Sequence, residues 1–419
     1  MLHDVKLKLD KVGPGFCLEK WTSAVFHLQK GSTNSCHHCK GHVIPLEVVK
    51  ENIHTIHNTP IKKEQRKIMI EGGWSNECDY CSVVEKQGGV SDRIIVSGRE
   101  RSWKHYDSIV NNWSQDFKPT NIDVSFNNVC NLACSYCGPH SSTTWVKDIE
   151  ENGNYPNNYN DIPADLQLVV SENPYIEPFW QWFKEVHSGL NNLVINGGEP
   201  LMIKETYRCL EYILEHPNKN LDVTINSNLC VEERLIDKLV EIIQKIEQGN
   251  HVRSLSIYTS NEAHGTQAEY IRNGLNYKTW LKNINRVLES SPTVKVGFMA
   301  NYNLLSAFSF IDLLKDVKSL IDQYSERRII FMPGYIRHPE FLSVRLLPID
   351  YRHKIVESLD YIKTHFINQQ TKLRFEQVLT YYDAKQETDY SKFKEFILEF
   401  DRRRGINFKE TFPQLSSLF

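Results

Sequence analysis

The sequence predicts an α/β fold built on a mostly parallel sheet. From about residue 122, short apolar stretches that alternate like strands are separated by segments with helical periodicity. The strand-like stretches are NIDVSF, NLVING, LDVTINSN, VRSLSIYTS, TVKVGFMANYN and RRIIFMPGY. Connections of helical length between strands imply right-handed crossovers, and therefore a parallel sheet that is either open or curled into a full or partial barrel.

Two of the segments between these strands carry a continuous apolar stripe at helical spacing. The stripe residues are Leu235, Leu239, Ile242 and Ile246 in the first segment and Tyr277, Leu281, Ile284 and Leu288 in the second. In folds of this kind the loops after the strands carry the chemistry. We therefore expect functional residues to follow the predicted strands.

Composition disfavours several classes of protein. The chain has 419 residues, is 40% hydrophobic and carries a formal net charge of −3. It is long enough for two or three domains, and it lacks the basic excess that would favour nucleic acid or an anionic membrane surface as a partner. No apolar run approaches a membrane span, and the first residues, MLHDVKLKLDKVG, lack the apolar core of a signal peptide. We expect a cytoplasmic protein whose ten cysteines are ligands, reactive thiols or buried side chains.

Three cysteines lie within eight residues soon after the first of these strands. They are Cys130, Cys134 and Cys137, in the stretch CNLACSYC. Three thiolates do not complete a tetrahedral zinc site, and iron–sulfur clusters whose irons are all bound by protein usually take four cysteines. The spacing therefore indicates a cluster in which one iron has no protein ligand.

This spacing resembles the signature loop of the radical S-adenosylmethionine (SAM) superfamily. Tyr136 stands where that family packs the adenine of SAM, and NGGEP, residues 196–200, resembles the segment that holds the methionine amino group. The resemblance implies a partial (β/α)6 barrel in which Cys130, Cys134 and Cys137 hold a 4Fe-4S cluster and SAM binds the open iron. Standing alone, NGGEP would be interpreted as an ordinary Gly-Gly turn.

The same resemblance implies further contacts with SAM. Gly197 and Gly198 would allow a close backbone approach, and Glu199 would offer a carboxylate. The other candidates for cofactor binding are Pro200, Ser227, Asn228, Ser256, Tyr258 and Arg272. In the family pattern, Ser227 and Asn228 resemble the ribose contact and Arg272 a partner for the SAM carboxylate. Each of these residues is also compatible with a structural role.

Five further cysteines precede these strands. Cys17, the GSTNSC turn that ends at Cys36, and the pair Cys78 and Cys81 resemble the auxiliary-cluster segment of SPASM and twitch domains. In those proteins the segment usually follows the barrel, whereas here it precedes the barrel. The resemblance implies a second 4Fe-4S cluster on Cys17, Cys36, Cys78 and Cys81.

Zinc is the alternative metal for this second site. Spacing alone gives two CxxC pairs, Cys36 with Cys39 and Cys78 with Cys81, which is a good pattern for zinc. His37 and His38 are spare ligands. Whether Cys39 is a ligand stays open from sequence.

These motifs divide the chain into three predicted domains. Residues 1–119 would form the twitch-like iron–sulfur domain, with a helix near residues 62–71 and possible strands at AVFHLQ and RIIVSG. Residues 120–347 would form the radical SAM partial barrel. Residues 348–419 would form a helical extension, in which an apolar stripe from Phe393 to Phe400 ends at three arginines, residues 402–404, that we expect to be solvated.

The implied activity is that of a radical SAM enzyme. Reductive cleavage of SAM would give a 5'-deoxyadenosyl radical that removes a hydrogen atom from a peptide or a small polar metabolite. Because four cysteines would leave the second cluster no open iron, that cluster would act as an electron acceptor and favour oxidation of the substrate radical. The expected partners are the substrate and a flavodoxin or ferredoxin-type electron donor, with no nucleic acid and no membrane.

Two alternatives stay open. Cys230 lies just past a strand end, where a thiol could return a hydrogen atom to a substrate radical and make the enzyme an epimerase, whereas Cys209 fits a helix core position. The alternative from another class is a zinc-stabilised binding protein in which all the cysteine groups are structural. Glu262 and His264 follow a strand and are equally compatible with substrate contact and with the surface.

Overall fold

The computed structural model describes residues 2–156 and 173–419. Within these ranges it is a mixed α/β structure with a large, mostly parallel sheet, as the sequence predicts. The strands are β1 (Ser23–His27), β2 (Ser32–Asn34), β3 (His42–Val43), β4 (Asn121–Ser125), β5 (Ala133–Cys134), β6 (Asn192–Asn196), β7 (Asn218–Asn226), β8 (Val252–Ser260), β9 (Arg272–Asn273), β10 (Lys295–Tyr302) and β11 (Ile329–Tyr335).

Helices fill the connections between the strands and most of the two ends of the chain. Within the described ranges the α-helices are α1 (Leu2–Val12), α2 (Glu19–Thr22), α3 (Leu46–Glu51), α4 (Pro60–Ile70), α5 (Asp79–Lys86), α6 (Asp92–Ser97), α7 (Glu100–Trp103), α8 (Tyr106–Asn111), α9 (Thr143–Asn152), α10 (Ile176–Val186), α11 (Lys204–Glu215), α12 (Glu233–Gly249), α13 (Gly265–Ile271), α14 (Tyr277–Ser290), α15 (Phe310–Tyr324), α16 (Arg352–His365), α17 (Gln369–Ala384), α18 (Ser391–Arg404) and α19 (Phe408–Thr411). Every strand predicted from residue 122 onwards is present.

The chain forms two compact units. The described residues of the first unit are 2–127, 173–196 and 218–223, and those of the second are 128–156, 197–217 and 224–419. The predicted domain boundaries and the partial barrel stay predictions.

In the first unit the strand order is β3-β2-β1-β4-β6-β7, where β7 contributes residues 218–223. β4 lies between β1 and β6 and is parallel to both. β2 and β3 continue the sheet in antiparallel register. The N-terminal segment AVFHLQ therefore joins the parallel sheet through β1, which sequence periodicity alone does not specify.

The core of the first unit is rich in aromatic side chains. Phe26 on β1 is fully buried, and its ring centroid lies 5.6 Å from that of Phe179 and 5.3 Å from that of Trp182, both on α10. A second buried cluster joins the N-terminal helices and consists of Leu9, Phe16, Leu18, Trp21, Met69 and Ile109. Apolar packing therefore holds the cysteine-rich N-terminal segment in place.

One predicted element of the first unit is wrong. RIIVSG was expected as a strand, but residues 92–97 form the helix α6. A short apolar run is compatible with either a strand or one turn of a buried helix. The helix is favoured because Arg93, 1% exposed at its side chain, forms ion pairs with Asp10 and Glu85 at 2.8 and 2.7 Å.

In the second unit the order is β7-β8-β10-β11, where β7 contributes residues 224–226. β10 is parallel to both β8 and β11. The predicted helices α12 and α14 bury Leu239, Ile242, Ile246, Ile284 and Leu288, as their stripes predict. A separate two-stranded sheet pairs β5 with β9 in antiparallel fashion.

Within residues 2–156 and 173–419, no helix combines the length and the apolar character needed to cross a lipid bilayer.

Replacing Phe26 with Ala should lower the free energy of unfolding by about 3–5 kcal/mol, because it leaves a cavity between β1 and the aromatic side chains of α10. The matched control is Val43→Ala on β3, since Val43 is 67% exposed and its truncation should change stability by less than about 0.5 kcal/mol. Urea unfolding followed by circular dichroism measures both variants. Equal midpoints for the two would contradict the packing described here.

Candidate functional site

The three thiols of the CNLACSYC loop face one cavity in the second unit. Cys130, Cys134 and Cys137 all line a space of about 230 Å³. The loop folds back on itself because the Cys137 amide donates to the Cys134 carbonyl at 3.0 Å. The structure thus brings together the three residues that the sequence proposes as cluster ligands.

Backbone pairing fixes the middle of this loop. Residues Ala133 and Cys134 form β5 and pair with Asn273 and Arg272 of β9. Next to this pair, the Ser135 amide donates to the Ile271 carbonyl at 2.7 Å. The cysteine loop is therefore held by a segment that lies about 135 residues later in the chain.

Helix α9 holds the loop from another side. The Trp145 indole Nε1 donates to the Cys134 carbonyl at 3.0 Å, and the Ser142 hydroxyl donates to the Leu132 carbonyl at 2.6 Å. Ser142 is also the N-cap of α9, since its hydroxyl accepts from the Trp145 amide. The start of this helix and the cysteine loop are thus fixed by the same side chains.

The NGGEP segment packs directly on the start of the cysteine loop. A Cβ atom at Gly198 would lie 2.3 Å from the Val129 carbonyl oxygen and 2.5 Å from that of Asn128, so only glycine fits there. A hydrogen bond also joins the two segments, since the Glu199 amide donates to the Val129 carbonyl at 2.6 Å. Gly197 has φ of 150°, a conformation that favours glycine. The NGGEP motif therefore allows this turn to pack closely against the start of the cysteine loop.

Glu199 links two of the loops around the cavity. It is fully buried, and its carboxylate accepts from the Leu201 amide at 2.9 Å, the Ser227 hydroxyl at 2.7 Å and the Asn228 amide at 2.6 Å. Burial raises the pKa of this carboxyl to about 7, although these three donors favour its charged form. Glu199 thus fixes Ser227 and Asn228 at the end of β7.

Arg272 is the cation nearest the three cysteines. Its guanidinium donates to the Cys134 Sγ at 3.7 Å, to the Tyr136 hydroxyl, and to the Glu262 carboxylate at 2.8 Å. Tyr136 in turn donates to Glu262 at 2.9 Å. Among the described residues the buried Arg272 Nε and Glu262 Oε1 have no hydrogen-bond partner. The charge of Arg272 is therefore balanced by Glu262 beside the cysteine loop.

Six of the ten predicted cofactor-binding residues line the cavity. They are Tyr136, Gly197, Gly198, Ser227, Asn228 and Arg272. The other four, Glu199, Pro200, Ser256 and Tyr258, are not among its lining residues in the described chain. The cavity instead receives Ser260, the last residue of β8, and residues 256, 258 and 260 share one face of the strand.

Sequence reasoning missed three further polar residues at the cavity. Asn226 ends β7, Asn301 lies one residue before the end of β10, and Ser141 follows the cysteine loop. The signal for the first two was their position at the carboxyl ends of parallel strands, where ligands bind in open α/β sheets. The cavity lining therefore combines polar side chains with the three cysteines and Leu132.

The three sulfurs are spaced too widely for a single zinc ion. Among the described residues, His37, His38 and Asp92 are the only three ligand-type side chains whose donor atoms all lie within 4.8 Å of one another. Zinc–sulfur bonds of about 2.3 Å at tetrahedral angles place sulfurs about 3.8 Å apart. Burial also raises the pKa of Cys130 and of Cys137 to about 12, so thiolates there need a strong positive partner. Three such donors around a cavity fit a multi-iron cluster.

The N-terminal cysteines meet in the first unit. The Cys36 and Cys39 sulfurs lie 3.4 Å apart, and Cys78 at the start of α5 hydrogen-bonds with Cys39. Cys17 interacts electrostatically with Cys36, Cys78 and Cys81. The structure thus places the Cys39 sulfur beside that of Cys36, and metal binding by the four predicted cysteines stays a prediction.

The pKa of Cys39 is shifted in the opposite direction from those of Cys36 and Cys78. Hydrogen bonds from Cys36 and Cys78 lower the pKa of Cys39, and the nearby Lys20 acts in the same direction. The same hydrogen bonds raise the pKa of Cys36 and of Cys78.

The two histidines of this segment face a carboxylate. His38 Nε2 lies 2.6 Å and His37 Nε2 lies 3.5 Å from Asp92 Oδ2, and the His38 ring stacks on Tyr80 at 3.7 Å. These side chains could hold a divalent cation. In the described structure they are engaged with Asp92.

Two of the three arginines at the end of α18 have buried side chains, which contradicts the expectation that all three are solvated. Arg403 and Arg404 are 1% and 7% exposed at their side chains, and Arg402 is 59% exposed. The Arg404 guanidinium lies 4.7 Å from the centre of the Trp145 ring and 3.3 Å from an Asp148 oxygen. The sequence did not reveal this because the partners belong to α9.

This contact makes α18 a support of α9, the helix that holds the cysteine loop. α18 reaches α9 through Arg404 and reaches α13 through Asp401, which accepts from the Tyr270 hydroxyl at 2.6 Å. α9 and the segment after α13 are the two elements that bond to Cys134 and Ser135. Residues of α18 therefore brace both supports of the loop within the second unit.

The two remaining cysteines have different environments. Cys209 on α11 is fully buried, as the helical pattern predicts. The Cys230 sulfur accepts from the Asn276 amide at 3.2 Å, and within the described chain Cys230 is not among the residues that line the cavity. His264 is 44% exposed, whereas Glu262 is buried.

Comparison with known proteins gives weak likenesses. No protein-family model and no curated protein matches the sequence. The crystal structure of Streptococcus suis SuiB is 16% identical, with a TM-score of 0.39, over 83% of this chain and 69% of that chain. The structure of Streptococcus suis SuiB bound to S-adenosylmethionine is also 16% identical, with a TM-score of 0.37, over 82% and 70% of the two chains. These values are too low to assign the chain to a family.

Replacing Arg404 with Met should lower the free energy of unfolding by about 1–3 kcal/mol, because it removes an ion pair with Asp148, which keeps Arg403 and Tyr155 as partners, and a contact with the Trp145 ring. Arg402→Met is the matched control from the same basic run, and its exposed side chain should contribute less than about 1 kcal/mol. Thermal unfolding at pH 7 compares the two. If both variants melt together, α18 does not brace α9 in this way.

Proposed function

We propose that this chain is a radical SAM enzyme that binds a 4Fe-4S cluster through Cys130, Cys134 and Cys137. The observation that carries the proposal is that these three thiols face one cavity together with the glycines of NGGEP and with Ser227 and Asn228. Three sulfur ligands leave a site on the metal cluster for a small molecule, and the neighbouring cavity offers room for it. The partial (β/α)6 barrel belongs to the same proposal.

The residues around the cavity have distinct tasks in this proposal. Tyr136 offers an aromatic face to the adenine, Ser227 and Asn228 offer hydrogen bonds to the ribose, and the spare Nε donor of Arg272 faces the SAM carboxylate. When bound, the cluster and SAM supply the one-electron cleavage that yields a 5'-deoxyadenosyl radical able to abstract a hydrogen atom. The protein holds the ligand in position and excludes water from the cavity.

The N-terminal cysteines supply a second metal centre in this proposal. Cys17, Cys36, Cys78 and Cys81 would hold a 4Fe-4S cluster in a twitch-like domain, with zinc as the alternative. What supports the proposal is that these four thiols lie close enough to interact in the folded first unit. A cluster with four protein ligands would accept an electron, so the enzyme would oxidise its substrate.

The substrate class follows from the polar lining of the cavity. Asn226, Ser260 and Asn301 project from the ends of three strands and would bind hydroxyl, amide or carboxylate groups. This favours a peptide or a small polar metabolite. A flavodoxin or ferredoxin-type protein would supply the electron.

Anaerobic purification should give brown protein that contains about eight iron atoms and about eight sulfide ions per chain. After reduction with dithionite, this protein should convert SAM to 5'-deoxyadenosine, which is measured by liquid chromatography. Cys134→Ala should abolish this conversion, because it removes a cluster ligand. The matched control Cys209→Ala, which removes a buried thiol from α11, should retain it. Colourless protein that contains zinc and no iron would refute the proposal in favour of a zinc-stabilised binding protein.

The double variant Cys78→Ala with Cys81→Ala tests the second centre separately. Iron and sulfide should fall to about four each per chain, since one of two clusters is lost. Formation of 5'-deoxyadenosine should persist because the cysteine loop of the second unit is untouched. Cys230→Ala serves as the control and should keep about eight of each. Unchanged iron in the double variant would remove the second cluster from the proposal.

A further inference from the structure

Three cationic side chains are buried near the N-terminal cysteines. Lys20, Lys62 and Arg66 are 2%, 0% and 1% exposed. Burying a charge is costly unless an opposite charge or hydrogen bonds compensate for it. The partners of these three side chains therefore show which charges or hydrogen bonds compensate for their burial.

Two of the three cations bind neutral groups. Lys62 Nζ lies 3.4 Å from the Thr33 hydroxyl oxygen and 3.3 Å from His57 Nδ1. Arg66 donates to the Lys20 carbonyl at 3.0 Å and to the Asn58 side chain at 2.7 Å. Burial and the two neighbouring cations lower the pKa of His57, so this ring is uncharged and offsets neither of them.

Lys20 is the cation that reaches the thiols. Its Nζ lies 3.9 Å from the Cys39 sulfur and 2.8 Å from a Glu77 oxygen, and it also donates to Gln65. Cys78 interacts electrostatically with it as well. One ammonium group thus joins the thiol group to a carboxylate.

Glu77 is the carboxylate of this network. Its other oxygen lies 3.0 Å from His42 Nδ1, and His42 Nε2 lies 2.8 Å from the Thr59 hydroxyl. Glu77 balances the charge of Lys20, and Asp116 is the carboxylate that acts on Arg66. Thiolates on a metal would place further negative charge within reach of Lys20, which already contacts Cys39.

We infer that Lys20 is the positive charge partner of an anionic metal–thiolate centre formed by the N-terminal cysteines, and that Lys20 and Glu77 together set its reduction potential. This inference rests on the second cluster of the proposed function. Lys20 and Glu77 are positioning residues, since they act through the thiolates. A nearby positive charge favours the reduced, more negative state of the centre, and a nearby negative charge opposes it.

The test uses the full chain with Cys130, Cys134 and Cys137 replaced by Ala, so that the N-terminal centre is the only expected iron. Its midpoint potential is measured by redox titration with electron paramagnetic resonance. In this background Lys20→Met should lower the equilibrium constant for reduction at least ten-fold, which is about 59 mV for one electron. Glu77→Gln should shift the potential in the opposite direction.

Two controls separate charge from structure. Lys20→Arg keeps the charge, and its equilibrium constant for reduction should stay within three-fold of the parent value. Lys63→Met removes a partly exposed lysine from the same helix as Lys62 and should leave the potential unchanged. If Lys20→Met does not accumulate, Glu77→Gln alone decides, because the loss of a negative charge predicts a higher potential and an unchanged or lower potential would overturn the inference.

The outcomes distinguish this inference from the proposed function. Opposite shifts for the Lys20 and Glu77 variants support the inference. Iron retained with no shift, or with shifts of the same sign, overturns it and leaves the second cluster in place. Absence of iron from the parent with the three replaced cysteines overturns both, and zinc there overturns the redox role.

Discussion

The candidate site depends on the close approach of two backbone segments, the start of the cysteine loop and the NGGEP turn. Gly198 allows this approach because any side chain would collide with the carbonyl oxygens of Asn128 and Val129. The bond from the Glu199 amide to Val129 then fixes the two segments together. With this contact in place, the Glu199 carboxylate can reach Ser227 and Asn228 and bring the end of β7 to the same cavity. One glycine thus sets the positions of three loops.

Charge is buried beside the thiols in both units, and in each case it is arranged differently. In the second unit Arg272 is balanced by Glu262, so the pair adds no net charge near Cys134. In the first unit Lys20 is paired with Glu77 and also lies beside Cys39. One buried ammonium group there contacts both a carboxylate and a thiol.

Much of the architecture could be predicted from sequence, and the errors have identifiable causes. Strands such as β10 and helices such as α12 show their periodicity directly, because each buries a regular face. RIIVSG failed because six residues are too few to separate the two periods. Ser256 and Tyr258 were proposed from β8, whereas Ser260, the last residue of that strand, lines the cavity. The buried Arg403 and Arg404 were misjudged since their partners are about 250 residues away.

The sequence by itself determined the chemistry that this chain can carry: the number of thiols, their spacing after a strand, and the glycine pair that follows the next strand. These are local features, and spacing along the chain is enough to state them. Tertiary structure alone decided that Arg272 donates to Cys134, that α18 braces α9, and that Lys20 faces Cys39 and Glu77. Such contacts depend on which surfaces pack together, and packing joins residues whose separation in sequence carries no information about their distance in space.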